Sequence, residues 1–246
     1  MAAIALQDLT VCYHRHPAVH HVSGRFDGGS LTALIGPNGA GKTTLLKAIA
    51  GLTGAESGRI ERQVSGGRIA YLPQQADIDR TFPVRVRDVV ELGFWQRLGA
   101  FGGVSSRQRH SADEALAAVG LSGFARRPIA SLSAGQFQRV LFARLLLQDA
   151  SVILLDEPFN AIDARTTADL LGVIARWHGE GRTVIAVLHD LEQVRAHFPR
   201  ALLMARSVVD WGPTDHVLRA ENLFRARQMA EAWDDAAGVC QVEAAT

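Results

Sequence analysis

The sequence predicts an α/β protein in which apolar strands alternate with helices around a phosphate-binding loop. Three observations carry this reading. A glycine-rich loop sits between a short apolar run and a strong helix former at residues 31–51. Wholly apolar runs recur at residues 152–155 and 183–187, as central parallel strands require. A helical pattern at residues 168–177 connects those two runs.

Taken in order, residues 4–13 and 22–26 alternate apolar and polar side chains and read as strands, with 31–35 as a buried strand. Residues 36–44, Gly36-Pro37-Asn38-Gly39-Ala40-Gly41-Lys42-Thr43-Thr44, fit the pattern G-x-x-x-x-G-K-[ST]. Residues 45–50 favour a helix, which Gly51 closes. Weaker strand signals lie at 59–60 and 69–72. From about residue 76 the chain turns helical, at 86–92, 111–119 and 136–148, punctuated by Phe101-Gly102-Gly103. The last dozen residues, rich in alanine and polar groups, read as a frayed tail.

Size and composition narrow the possibilities. The 246 residues are 48% hydrophobic, enough for a substantial core, and the formal net charge of +1 gives no global attraction to nucleic acid or anionic membrane. Cys12 and Cys240 form neither a metal-type spacing nor a disulfide framework, which suits a reducing compartment. The first residues lack the basic start of a signal peptide, and no stretch of 18 uninterrupted apolar residues offers a membrane span.

The loop at 36–44 supplies the first chemistry. Its glycines let backbone N–H groups turn inward as an anion nest. Lys42 brings a mobile positive charge for β- and γ-phosphates, and the Thr43 hydroxyl is a ligand for Mg²⁺. The order strand, loop, helix places phosphates at a helix N-terminus, where the dipole favours anions.

The run 152–155 then delivers Asp156 and Glu157 at the C-terminal end of a strand, where open α/β sheets bind ligands. Asp156 would approach Mg²⁺, and Glu157 would orient an attacking water. Ser133 followed by Gln136 is a capping box, and a capped helix end is also an anion site, so both readings hold together. His189 follows a strand and precedes Asp190, a helix cap with Gln193 three residues on. A neutral imidazole there could reach a γ-phosphate or its water. Gln74 follows the strand at 69–72.

Together, residues 36–44, Gln74, 132–136, Asp156–Glu157, 160–163 and His189, in that order, resemble the nucleotide-binding subunit of an ATP-binding cassette (ABC) transporter. The likeness spans roughly residues 4–220. It implies a P-loop NTPase core with an antiparallel β subdomain and an inserted helical subdomain. The core and β subdomain would take residues 1–75 and 151–220, the helical subdomain 76–150, and a C-terminal helix and tail 221–246.

The resemblance also implies roles. Tyr13 would stack on adenine. Gln74 would touch Mg²⁺ or the lytic water and sense the membrane partner. Ser133, Gly135 and Gln136 would reach the ATP held by an opposite copy. Asp163 would lie across the dimer interface, and His189 would contact the γ-phosphate of its own copy. The implied assembly is a head-to-tail homodimer with two ATP molecules, bound to integral permease subunits on the cytoplasmic face of the cell membrane. A periplasmic or extracellular solute-binding protein would serve it, and no nucleic acid is expected. Ala134 and Asn160 depart from the usual glycine and serine of the family, which should tune turnover without removing a catalytic group.

Residues 80–93, and 212–218 with 221–223, resemble zinc, manganese and iron-chelate importers, and zinc or manganese is the favoured cargo. An exporter shares the same catalytic core. A soluble ABC ATPase working on DNA or ribosomes usually has two cassettes or a coiled-coil insert, whereas this chain has one phosphate loop and no heptad run. A small-molecule kinase would leave residues 132–136 and His189 without joint employment. Finally, His14, His16, His20 and His21 invite a zinc-binding reading. A polar loop is preferred, because His20 and His21 would point to opposite faces of a strand.

Overall fold

Two twelve-residue strands open the chain, β1 (Ala2–Tyr13) and β2 (His16–Asp27), followed by β3 (Leu31–Ile35), α1 (Lys42–Ala50) and β4 (Ser57–Arg62). Next come β5 (Ile69–Leu72), α2 (Val86–Glu91), a 3-10 turn at Leu92–Phe94, α3 (Trp95–Leu98) and α4 (Ser106–Ala118). A second 3-10 turn at Ile129–Ser131 leads to α5 (Ala134–Gln148), β6 (Val152–Asp156), α6 (Ala164–Gly179) and β7 (Thr183–Val187). The chain closes with α7 (Leu191–His197), β8 (Arg200–Ala205), β9 (Ser207–Pro213), α8 (Thr214–Val217) and α9 (Ala220–Glu231). The computed structural model describes residues 2–13, 16–64, 68–75, 78–99 and 102–231. His14, Cys240 and the tail expected at the C-terminus lie outside the described residues, as does the side chain of Tyr13. The chain divides into two units, Met1–Val64 with Ile185–Thr246, and Ser65–Val184.

In the first unit β1 is the centre of an antiparallel sheet, paired with β2 on one side and β4 on the other. Its inward side chains, including Ile4, Leu6, Leu9 and Val11, are buried, as are Val19, Val22 and Phe26 of β2. β3 pairs parallel with β8, from Thr32↔Arg200 to Ile35↔Leu203, and β8 pairs antiparallel with β9. Every residue of β3 is buried, the signature of a strand covered on both faces. Trp211 of β9 stacks at a tilt on Phe26 of β2, with ring centroids 4.6 Å apart.

The Trp211 ring also decides Gly24 of β2. A Cβ there would fall 2.3 Å from a Trp211 ring carbon, and its φ of +153° disfavours any other residue.

The second unit pairs β5 with β6 in parallel, from Ile69↔Val152 to Leu72↔Leu155, and packs α5 against β5. Phe142 of α5 lies parallel to Trp177 of α6, with centroids 5.6 Å apart and planes inclined by 6°. α4 begins earlier than residue 111, because Ser105 and Gln108 form a reciprocal cap: Ser105 Oγ accepts from Gln108 N at 3.3 Å and Gln108 Oε1 accepts from Ser105 N at 2.9 Å. α6 likewise starts at Ala164, capped by Asp163, rather than at 168.

One expectation fails on β2. His20 and His21 do not face opposite sides, because their rings meet edge to face with centroids 4.4 Å apart. His21 has φ +49° and leaves the extended conformation, as does Asp8 of β1 at φ +51°, where the register between the two strands shifts. The bulge brings His21 Nδ1 within 2.7 Å of Asp8 Oδ1. Among the described residues no group of three His, Cys, Asp or Glu side chains is arranged to hold a metal ion.

Candidate active site

The phosphate loop leaves β3 and enters α1 through Gly41, the N-cap, at φ +86°. Neighbouring backbone passes so close that only glycine fits at both ends. A Cβ on Gly36 would lie 2.0 Å from Met204 O, and one on Gly41 would lie 2.0 Å from Ala18 O. Between them Asn38 and Gly39 are exposed and Pro37 is half-buried, while Ala40 is buried and its carbonyl accepts from Arg206 N at 2.9 Å. The loop is therefore clamped on both flanks by strands of its own unit.

Lys42 is 6% exposed, and its ammonium donates to Gly36 O at 2.9 Å and Pro37 O at 2.8 Å. These carbonyls hold the charge at the mouth of the loop, where phosphate oxygens would compete for the same donors. Thr43 and Thr44 follow in the first turn of α1. His189 belongs to the same unit. Leu188 N donates to Leu34 O at 3.2 Å, so the chain leaves β7 beside the strand that feeds the loop, and His189 is the next residue, exposed. Asp190 then caps α7 by accepting from Glu192 N and Gln193 N.

The second unit assembles two further clusters. In the first, the parallel pairing of β5 with β6 brings Tyr71 and Gln74 to the carboxylates. Asp156 is 1% exposed and accepts from the Tyr71 hydroxyl at 3.1 Å. Gln74 Nε2 donates to Glu157 Oε2 at 2.7 Å. Glu157 has φ +49°, a left-handed conformation that bends the chain at the end of β6.

In the second cluster, Ser133 caps α5. Its Oγ accepts from Gln136 N at 3.2 Å, and Gln136 Oε1 accepts from Ser133 N at 3.1 Å, the expected capping box. A hydroxyl that accepts there keeps its own proton to donate. Gly135 is buried, and Asp163 caps α6 close by, accepting from Thr166 N at 2.9 Å. That backbone bond, joined by one from the Thr166 hydroxyl, holds the Asp163 carboxyl below the usual carboxylate range. Gln138 Nε2 donates to Pro158 O at 2.8 Å and so ties α5 to the turn after Glu157. Ala134 and Asn160, the two departures, are both exposed.

Four residues escaped the sequence. Tyr71 holds Asp156. Arg80 stacks over Phe137, 5.0 Å from the ring centroid, and its guanidinium donates to Leu132 O, bracing the segment that leads to Ser133. Arg139 and Thr166 link α5 to α6. Only strand pairing could have suggested Tyr71. The other three act through tertiary contacts that no periodicity records.

Residues 19–160 match the family described as ABC transporter. The zinc transport system ATP-binding protein TroB of Treponema pallidum is 40% identical over 91% of this chain and 86% of its own length. The manganese transport system ATP-binding protein MntB of Bacillus subtilis is 38% identical over 91% of each. Among solved structures, an inward-facing putative metal-chelate type ABC transporter superposes with a TM-score of 0.83 at 29% identity, covering 92% of this chain and 89% of the other. An ATP-binding cassette in its ADP conformation, 20% identical with a TM-score of 0.80, shares the fold. The strand–loop–helix cradle, the carboxylates at the end of β6 and the capped serine are thus found in a chain that belongs to the ABC transporter family, as one of its ATP-hydrolysing domains.

Proposed function

We propose that this chain powers a membrane importer for manganese or zinc. Relatives at 38–40% identity are named as ATP-binding proteins of manganese and zinc transport systems, which supports that cargo. Iron chelates are the second reading, supported by the metal-chelate type structure at the lower identity of 29%.

One observation carries the coupling argument: the 2.7 Å hydrogen bond from Gln74 to Glu157. It joins the residue proposed to sense the membrane partner to the residue proposed to orient the lytic water. Phe82, Leu92 and Trp95, which follow Gln74 in the same unit, are exposed apolar side chains suited to a permease. Among the described residues no helix is long and apolar enough to cross a membrane, so transport would require such a partner. The assembly would sit on the cytoplasmic face of the membrane, with a solute-binding protein opposite.

In this reading ATP lies in the cradle of Gly36 to Thr44, with Lys42 and His189 toward its terminal phosphate and Tyr13 against adenine. Ser133, Gly135, Gln136 and Asp163 of a second copy would complete the site. The oxygen donors proposed for Mg²⁺, from Thr43, Asp156 and Gln74, suit a hard cation. Mg²⁺ binds through few protein groups and keeps several waters, so phosphate and water would supply the rest of its shell. Residues 1–75 and 151–220 would act as core and β subdomain, and 76–150 as the helical subdomain.

The test is reconstitution with the permease in vesicles. ATP hydrolysis should rise when the solute-binding protein is loaded with Mn²⁺ or Zn²⁺. Stimulation by a ferric chelate alone would replace the proposed cargo.

A further inference from the structure

We propose that Thr166 is a positioning residue that fastens the N-termini of α5 and α6 into one element, so that Ser133 and Asp163 are presented together to bound nucleotide. The inference rests on the two-copy reading above.

Thr166 is 6% exposed and makes more bonds than a helix cap needs. Its N–H donates to Asp163 Oδ1 at 2.9 Å, which is the cap itself. Its hydroxyl donates to Asp163 Oδ2 at 2.8 Å, so one residue holds both carboxylate oxygens. Arg139 of α5 then approaches the same hydroxyl, with Nη2 3.5 Å from Thr166 Oγ1. Because a guanidinium can only donate, the threonine oxygen accepts from Arg139 and its proton points to Asp163. The bonds run in one direction, from Arg139 through Thr166 to Asp163, and each polarises the next.

Arg139 is itself fixed. Its Nη2 donates to Asp169 Oδ2 at 2.6 Å and its Nη1 to Val119 O at 2.9 Å, with 15% of the side chain exposed.

Gly135 completes the junction. A Cβ at this position would lie 3.0 Å from Thr166 Oγ1 and 3.4 Å from Asp163 Oδ2. The first turn of α5, two residues past Ser133, therefore rests directly on the capped carboxylate. A valine at 166 would preserve the backbone cap and the helix, so the hydroxyl and its arginine serve the junction rather than α6 alone.

The experiment compares Thr166→Ala, Thr166→Val and Thr166→Ser in the full chain assembled with its permease. Thr166→Ala and Thr166→Val should lower kcat about tenfold, the scale of a small misplacement of catalytic groups. KM for ATP should stay within about twofold, because the cradle of Lys42 is untouched, and Thr166→Ser should restore kcat. Melting temperatures should move by no more than about 2–4 °C. Should Thr166→Ala fail to fold, Arg139→Lys decides by the same kcat and KM criteria, since lysine keeps the charge but loses the fork. Ser133→Arg is the control for the two-copy reading. If it hydrolyses ATP like the unaltered chain, that reading fails and the inference with it. If it is inactive while Thr166→Ala keeps full kcat, or Thr166→Ser falls as far as Thr166→Ala, or only KM changes, the inference alone is overturned.

Discussion

Gln74 and Glu157 meet at 2.7 Å although 83 residues separate them, because the parallel pairing of β5 with β6 ends beside both. The bond holds the Glu157 carboxylate in one orientation, as the proposed water-orienting role requires. Glu157→Gln should therefore leave ATP binding intact and slow hydrolysis by at least about 10²-fold, the typical contribution of a positioned base. Phosphate release measures the loss, and size exclusion with ATP should show an accumulated dimer.

Lys42→Ala removes a charge that Gly36 O and Pro37 O hold at the loop. ATP affinity should fall more than about tenfold, as expected when a charge-assisted contact is lost. Equilibrium binding of a fluorescent ATP analogue checks this, with the melting temperature as a control for folding.

Gly24→Val would drive a branched side chain into the Trp211 ring. The chain should lose about 1–3 kcal/mol of stability by overpacking. Denaturant melts measure that loss, and Trp211 emission should shift as its packing on Phe26 loosens.

Glu91 is half-buried, and one of its carboxylate oxygens, Oε1, has no hydrogen-bond partner. Burial raises its pKa above the ordinary value of 4.5, against the opposing pull of Arg87. The native state thus keeps this proton to higher pH than the unfolded chain does. Its contribution to stability is full below 4.5 and is lost as pH rises through the native value. Glu91→Gln should accordingly raise the melting temperature at pH 7 by a degree or two, and the gain should vanish below pH 4.5. Thermal melts of both chains at pH 7 and pH 4 decide it.

The phosphate loop, the buried strands at 31–35 and 183–187 and the cap at Ser133 were legible because each is local. A glycine pattern, an apolar run and an i to i+3 pair are written in adjacent residues. The start of α4 was not, since residues 106–110 are polar and only the Ser105–Gln108 cap marks it. Strands β8 and β9 differ in how far the sequence marks them. The run at 201–205 is apolar throughout, like the strands at 152–155 and 184–187, and so carries the same signal, whereas β9 is mostly half-buried and does not alternate cleanly. The bulge at His21 was hidden because alternation assumes an unbroken extended backbone, and one residue at positive φ reverses it. Arg80, Arg139 and Thr166 support the candidate site from outside its motifs, through contacts between segments 27 to 52 residues apart.

The left-handed backbone at Glu157 sets two demands on one codon. The bend at the end of β6 would be most relaxed with glycine, while the proposed water-orienting role needs a carboxylate, and a non-glycine residue there gives up about 1–3 kcal/mol. Glu157→Gly should therefore gain stability in denaturant melts while losing the carboxylate proposed to orient water. A chain that accepts backbone strain for this one side chain keeps an unrelaxed turn at the place where the proposed chemistry would occur.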